Sequence, residues 1–447
     1  VLYRLFAGFV LVLALSVFSG SGVVAEDRQL AFPGAVGWAK YTPGGRGGEI
    51  LKVTNLKAEG EGSLRAALEA KGPRTVVFEV GGVIDLGAKT INITEPFITI
   101  AGQTSPSPGI TIIQGGIVVR THDVIIRHLR IRSGESGQPK RSGFDLDNIS
   151  TQAGAYNVIV DHCSLTWATD ENLSASGPRF TGESPQEWRK GTSHKITFSQ
   201  NIIGEGLANA THAKGEHSKG SLIHDNVSEI LIYGNLYAHN YERSPHFKGG
   251  VHGVMVNNFI YNPGQRAILY NLQAQEWGKT PFQNGKVTAV GNVMRAGPST
   301  PPGAVAFLMI GGEGDLEYHG KDNVVVDRIG EPLPMFGRFT TGRAKIIQKD
   351  APLHWPEGLA AMPSMDVETW VLMNVGARPW DRDKNDIRLL SDTAEGRGKI
   401  IDSEKDVGGY PEFTPTHRPF IPEHWNLEDM TPRSSEALDS AAKARGT

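Results

Sequence analysis

A single cysteine, Cys163, stands in 447 residues. No internal disulfide can form, so stability has to come from a buried core, and no metal site can rest on thiolates. Any metal here belongs with hard, oxygen-rich ligands. Basic charge is not in excess either. The 45 Lys and Arg against 48 Asp and Glu leave a net charge of −3. That removes a global field for nucleic acid, so an anionic ligand must be held by a local cluster. No HExxH spacing is present, and no Asn-Thr-Asp, Asp-Asp or Gly-His-Gly set offers the paired aspartates of a β-helix hydrolase. The one long apolar run lies at the start, from Leu5 to about Phe18. It is shorter than the roughly 20 residues of a membrane span. With Arg4 before it and small residues leading to Val23-Val24-Ala25, residues 1–25 read as a signal peptide rather than an anchor.

Glycine, by contrast, is abundant at 54 residues, which favours turns over long helices. Residues 31–48 are Gly- and Pro-rich and read as an ordered loop. The segment GSLRAALEA (62–70) reads as a short amphipathic helix with Ser63 as N-cap. From Thr75 onward, short β-branched strands recur between turns: TVVFEV, ITIAG, ITIIQ, DVIIRHLRIR, NVIVDHCSL, KITFSQNII, EILIYGNLY, GVMVNNFIY and KVTAVGNVM. No helical pattern separates them, which argues against βαβ units.

The strands also align with one another. Asn201, Asn235, Asn258 and Asn292 each follow an apolar strand, and Asp161-His162-Cys163 and Arg127-His128-Leu129 take that place earlier. Asparagines stacked at an inward bend hydrogen-bond along the stack, and asparagine tolerates the left-handed conformation of such a bend. Irregular spacing with one Asn per repeat predicts an all-β parallel β-helix with variable loops. A sandwich would space its turns more evenly, and no Trp-Asp signature marks a propeller. One domain over 26–447 is expected, with core coils over about 75–297. GPSTPPG reads as a linker, and residues 298–430 as elements packed along the solenoid, including a helix–loop–helix in VETWVLMNVGARPWDRDKNDIRLL. The final RSSEALDSAAKARGT is polar and expected to be mobile.

Three clusters fall on consecutive repeats. Asp145, Asp147, Asp161, Asp170, Glu171 and Asn172 supply oxygen donors, either for a Ca²⁺ ion or as solvated turn residues. Lys214, His217 and Lys219 lie in THAKGEHSKG. Arg243 and Lys248 frame Arg-Ser-Pro-His-Phe-Lys-Gly-Gly as a positive fork suited to carboxylates. Cations beside a metal-binding acidic set suit a polymeric acid, because neutralising a sugar carboxylate acidifies the adjacent C–H.

These segments resemble the pectate lyase superfamily, polysaccharide lyase family 1. The likeness rests on Arg243-Ser-Pro245-His-Phe-Lys248-Gly-Gly against the family's Arg-x-Pro-x-x-Arg-Gly, with His252 and Asn257-Asn258 following. Lys219-Gly-Ser-Leu222, NVIVDHCSL and the Gly-rich opening support it, and it covers residues 31–415. The resemblance implies a secreted, right-handed parallel β-helix acting as a monomer on polygalacturonate. It implies Ca²⁺ at Asp147, Asp170 and Glu171, Arg243 as the base with Lys219 beside it, and Lys248, His217 and His252 on substrate. The product would be a 4,5-unsaturated oligogalacturonide formed by β-elimination.

Two departures stand out. Lys248 replaces the second arginine, keeping charge without the bidentate fork. Ser174 stands where many members carry another acid. A Ca²⁺-independent pectin lyase and a non-catalytic β-helix are the alternatives. Sequons occur at Asn92, Asn148, Asn172, Asn209 and Asn226. A glycan on Asn172 would crowd the groove, so it is expected to be unmodified.

Overall fold

In the computed structural model, which describes residues 28–303 and 305–434, the repeat closes into a solenoid. Each coil crosses three sheets in turn, of eleven, ten and nine strands, and the coil-to-coil pairings are parallel. One coil runs through Tyr156–Asp161 in the first sheet, Ser164–Thr166 in the second and Leu173–Ala175 in the third. His194–Ser199 then re-enters the first. This is the expected parallel β-helix.

The core follows from strand alternation. Ile100, Ile126, Val160, Phe198, Ile232, Met255 and Ala289 lie in register down the first sheet and are all buried inside. Burying each large apolar side chain contributes about 1.5–3 kcal/mol. The alternate positions face outward and are covered too. Phe32 and Ala35 of the N-terminal loop pack on Ile125 and Ile159, and Trp38 packs against the patch of Leu231 and Val254. The helix Leu64–Leu68 forms as expected, with the Ser63 side chain accepting from the Ala66 N–H.

At the first bend, between the first and second sheets, the asparagine ladder is present. The Nδ2 of Asn201 donates to Asn235, Asn235 to Asn258, and Asn258 to Asn292, at 2.9–3.0 Å. Asn323 adds a further rung below Asn292. One detail differs from expectation. The left-handed residue is the one before each ladder position: His128, His162, Gln200, Gly234, Asn257, Gly291 and Asp322. The ladder residue itself turns inward, where its amide is needed.

The coils run further than the 75–297 expected. Pairing starts at Glu49–Val53 and continues through Leu308–Gly312 and Leu316–Lys321 to Ile346–Gln348. GPSTPPG is a loop within a coil, tied down by Thr300 Oγ1 donating to the Pro263 carbonyl at 2.6 Å. The late strands are short and more exposed, so they lacked the buried alternation seen upstream. Beyond them, helices Ser364–Asn374 and Lys384–Ala394 lay Val367, Val371, Leu389 and Leu390 on Ile202, Leu236 and Phe259 outside the second sheet. Among the described residues no helix is long and apolar enough to cross a membrane. The proposed signal peptide lies outside the described residues, as does the polar C-terminus after Ser434.

Candidate active site

The second bend, between the second and third sheets, carries long loops, and parallel pairing aligns their ends. Glu171 bridges to Lys219, and Lys219 to Glu242, on successive coils. Asp147 enters from the preceding coil, where its Oδ1 accepts from the Glu171 backbone N–H at 3.0 Å. Oxygens of Asp147, Asp170 and Glu171 all lie within 4.8 Å of one another. Burial, together with Glu171 and Asp170, pushes the Asp147 carboxyl well above its ordinary range. Burial and Asp170 raise Glu171 as well, against the pull of Arg243. Converging hard oxygens that repel one another are what a divalent cation relieves, so this donor set fits Ca²⁺.

Arg243 faces that set. One Nη donates to Glu171, while its Nε is buried without a hydrogen-bond partner and lies 3.9 Å from Glu242. Burial works against its charge, but Glu171, Glu242 and Asp170 outweigh it and raise its pKa. The charges that bear most on Arg243 are thus anionic. Glu242 is held below its ordinary range, despite burial, by Lys219, Arg243 and Arg266. Lys219 is almost fully buried and bonded to Glu242. Burial and Arg243 lower its pKa.

His217 bonds Asp170 through Nε2 at 2.7 Å, and its ring stacks on His212 with centroids 3.5 Å apart. Burial, with Lys219 and His212, pushes it down to about 3. A neutral imidazole there donates to the carboxylate and positions it.

No family model matches the chain. It is 36% identical over 427 residues to the probable pectate lyase C of Aspergillus oryzae (strain ATCC 42149 / RIB 40), covering 92% of this chain and 90% of that protein. The chain belongs to the pectate lyase family. To the probable pectate lyase C of Emericella nidulans it is 31% identical over 398 residues, covering 87% and 82%. A solved pectate lyase bound to hexasaccharide shares the fold, with TM-score 0.51 at 13% identity over 79% of this chain and 100% of that one. So does the cedar pollen allergen Jun a 1, with TM-score 0.51 at 16% identity over 76% and 92%. This pectate lyase is accordingly an enzyme of the polysaccharide lyase class.

Several residues of the lyase are not where the sequence suggested. His252 begins a strand of the first sheet and stacks on His354, 4.6 Å between centroids, apart from the Lys219–Arg243 cluster. Asp161 sits at the first bend. Arg243 and Lys248 do not form one fork. Arg243 precedes the strand His246–Lys248 and Lys248 ends it, and each has its own acids. Lys248 pairs with Glu276 and lies 3.9 Å from Asp225, while Arg179 donates to both acids at 3.0 Å. Ser174 is buried and its hydroxyl has no hydrogen-bond partner among the described residues. Asn172 is fully buried, its amide donating to Lys219 and Gly204 carbonyls, which leaves no room for a glycan. Asn148 and Asn226 are buried too, so only Asn92 and Asn209 reach the surface.

Sequence reading missed Glu242, Arg266, Arg179 and Glu276. Arg266 follows Arg243 at the offset that pairs His246 with Leu269. Extending the repeat by one coil would have found it.

Proposed function

We propose that this pectate lyase is secreted and acts on de-esterified galacturonan with Ca²⁺ held by Asp147, Asp170 and Glu171. The observation that carries the reading is the convergence of those three carboxylates opposite a row of cations, Lys219, Arg243 and Arg266. Bound Ca²⁺ would neutralise a uronate carboxylate and so acidify the neighbouring C5–H.

The chain's own residues supply the rest. Arg243, by likeness to the family motif, takes the C5 proton. The electron pair forms the C4=C5 bond, the C4–O bond breaks, and the leaving oxygen takes a proton from solvent water to become a free sugar hydroxyl. Glu171 bears directly on this role. In the ion-free protein it favours the protonated form of Arg243. Because it is also one of the three acids that would hold the ion, engaging the ion would draw it away from Arg243 and let the guanidine lose its proton and act as the base. Lys219 and Arg266 are placed to take further uronate carboxylates, each needing to share Glu242. Lys248 reaches substrate only by parting from Glu276. His217 acts through Asp170.

The test is ultraviolet absorbance of unsaturated uronide on polygalacturonate, with added Ca²⁺ and then with chelator. Product that appears with Ca²⁺ and stops with chelator is expected. Product that persists under chelation, on methyl-esterified polymer, would replace this reading with a calcium-independent pectin lyase.

A further inference from the structure

The first bend, on a different corner of the coil from the candidate active site, carries a second constellation. A cavity of about 610 Å³ opens there between two coils and the C-terminal segment. That size lies within the range of small-molecule sites. Its walls include Arg127, His128, His162, Arg378, Trp380 and Arg418.

The acids here are already committed. Both oxygens of Asp161 are taken, Oδ1 by Ser199 at 2.7 Å and Oδ2 by Arg127 at 2.9 Å and His162 at 2.8 Å. Asp381 accepts from Arg378 Nε at 3.0 Å. Arg418 is exposed and donates only to the Thr104 and Ser105 carbonyls, with no carboxylate beside it among the described residues. His128 spends Nδ1 on the Ala377 carbonyl at 2.8 Å and His162 spends Nδ1 on Asp161, so neither Nε2 has a protein partner among the described residues.

The apolar side is equally defined. Trp380 is 60% exposed although Arg378 lies 5.3 Å from its centroid and His128 packs on its edge at 5.1 Å. Trp425, also lining the cavity, is steadied by stacking on Phe420. A large aromatic face held in place yet open to solvent is a binding platform, and the guanidinium groups around it select a planar anion.

We propose that this cavity is a second carbohydrate site, taking an acidic oligosaccharide. A sugar ring lies on Trp380, its carboxylate meets Arg418 and Arg378, and its hydroxyls meet the two free Nε2 atoms. The choice of a uronide over another flat anion rests on the polygalacturonate reading of the groove. His128, Asp161 and His162 also bring possible metal-ligand atoms within 4.8 Å of one another. Three arginines and a fully engaged Asp161 oppose a cation there.

The experiment is calorimetric titration of trigalacturonate into the full chain carrying Arg243→Ala, which prevents turnover. The comparison chain adds Trp380→Ala and Arg418→Ala. Both added positions are exposed, and equal melting temperatures check that the fold is kept. The parent is expected to bind two equivalents and the comparison chain one. If the groove reading fails, the parent binds one and the comparison chain none, which keeps the second site. Equal stoichiometry in the two chains would overturn the proposal. So would a neutral galactose trimer binding as well as the acid, or Zn²⁺ binding that Trp380→Ala and Arg418→Ala leave intact while no saccharide binds.

Discussion

Two clusters of opposed charge flank the second sheet, each pairing arginines with carboxylates. On its outer face, Arg132 forks both oxygens of Asp383 at 2.6 and 3.0 Å and reaches Asp386 at 2.9 Å, with Arg130 beside it and Ser164 donating to Asp386 at 2.7 Å. At the second bend, Asp147, Asp170 and Glu171 meet Arg243, with Glu242, Lys219 and Arg266 alongside. In the first cluster two arginines answer two acids and water is shut out. Asp383 is held well below the ordinary carboxylate range by Arg132 and Arg130, although burial pushes the other way. In the second, Asp147 is pushed well above it. Burial acts alike on both acids, so the sign of the shift reports whether the local charges close. A closed cluster fastens the C-terminal helix to the coil, and an open one has work left for a ligand.

The comparison breaks most visibly at Arg243. Arg243→Ala is expected to lower turnover by about 10³-fold, the scale of a lost general base, while the melting temperature stays close to the parent's. Near-normal turnover would remove Arg243 from the chemistry. The mirror change is Arg132→Ala, which strands Asp383 and Asp386. Denaturant unfolding should show a loss of about 3–5 kcal/mol, with turnover per folded molecule unchanged. A stable but inactive Arg132→Ala would mean that the closed cluster serves catalysis.

Acid sharpens the contrast. Burial holds His128 and His246 neutral and pushes His239 down to about 4. Unfolded histidine titrates near 6.5, so below that pH only the unfolded chain takes these protons and stability falls, by roughly 1 kcal/mol per histidine per pH unit. Asp147 and Glu171 act with opposite sign, since protonation relieves them. Folded-state NMR titration of these three rings near pH 6.5 would contradict their burial. The smallest effect belongs to Glu171→Gln. Without Ca²⁺ it should raise the melting temperature slightly, because the charge it removes is repelled by Asp170 and disfavoured by burial. With Ca²⁺ it should raise the half-activating concentration, because it removes a ligand charge.

Much of the fold was legible because it repeats. The asparagine column and the period-two strands each announce one coil, and an error in one strand is corrected by its neighbours. The later coils escaped notice because strands such as Phe336–Arg338 and Ile346–Gln348 face solvent and need no apolar alternation. The acids at 147, 170 and 171 were legible as turn residues on successive coils. His252 was misplaced because it follows Lys248 closely in sequence, yet Gly249-Gly250 turns the chain into another sheet between them.

The sequence by itself determined the coil, since strand alternation and the recurring inward asparagines are local properties. It also determined which residue types reach the second bend. Only the tertiary structure decided which charges close. Arg132 meets its acids across the length of the chain, and Arg243 meets Glu171 two coils away. Pairing of that kind depends on loop paths and burial, which no spacing along the chain encodes.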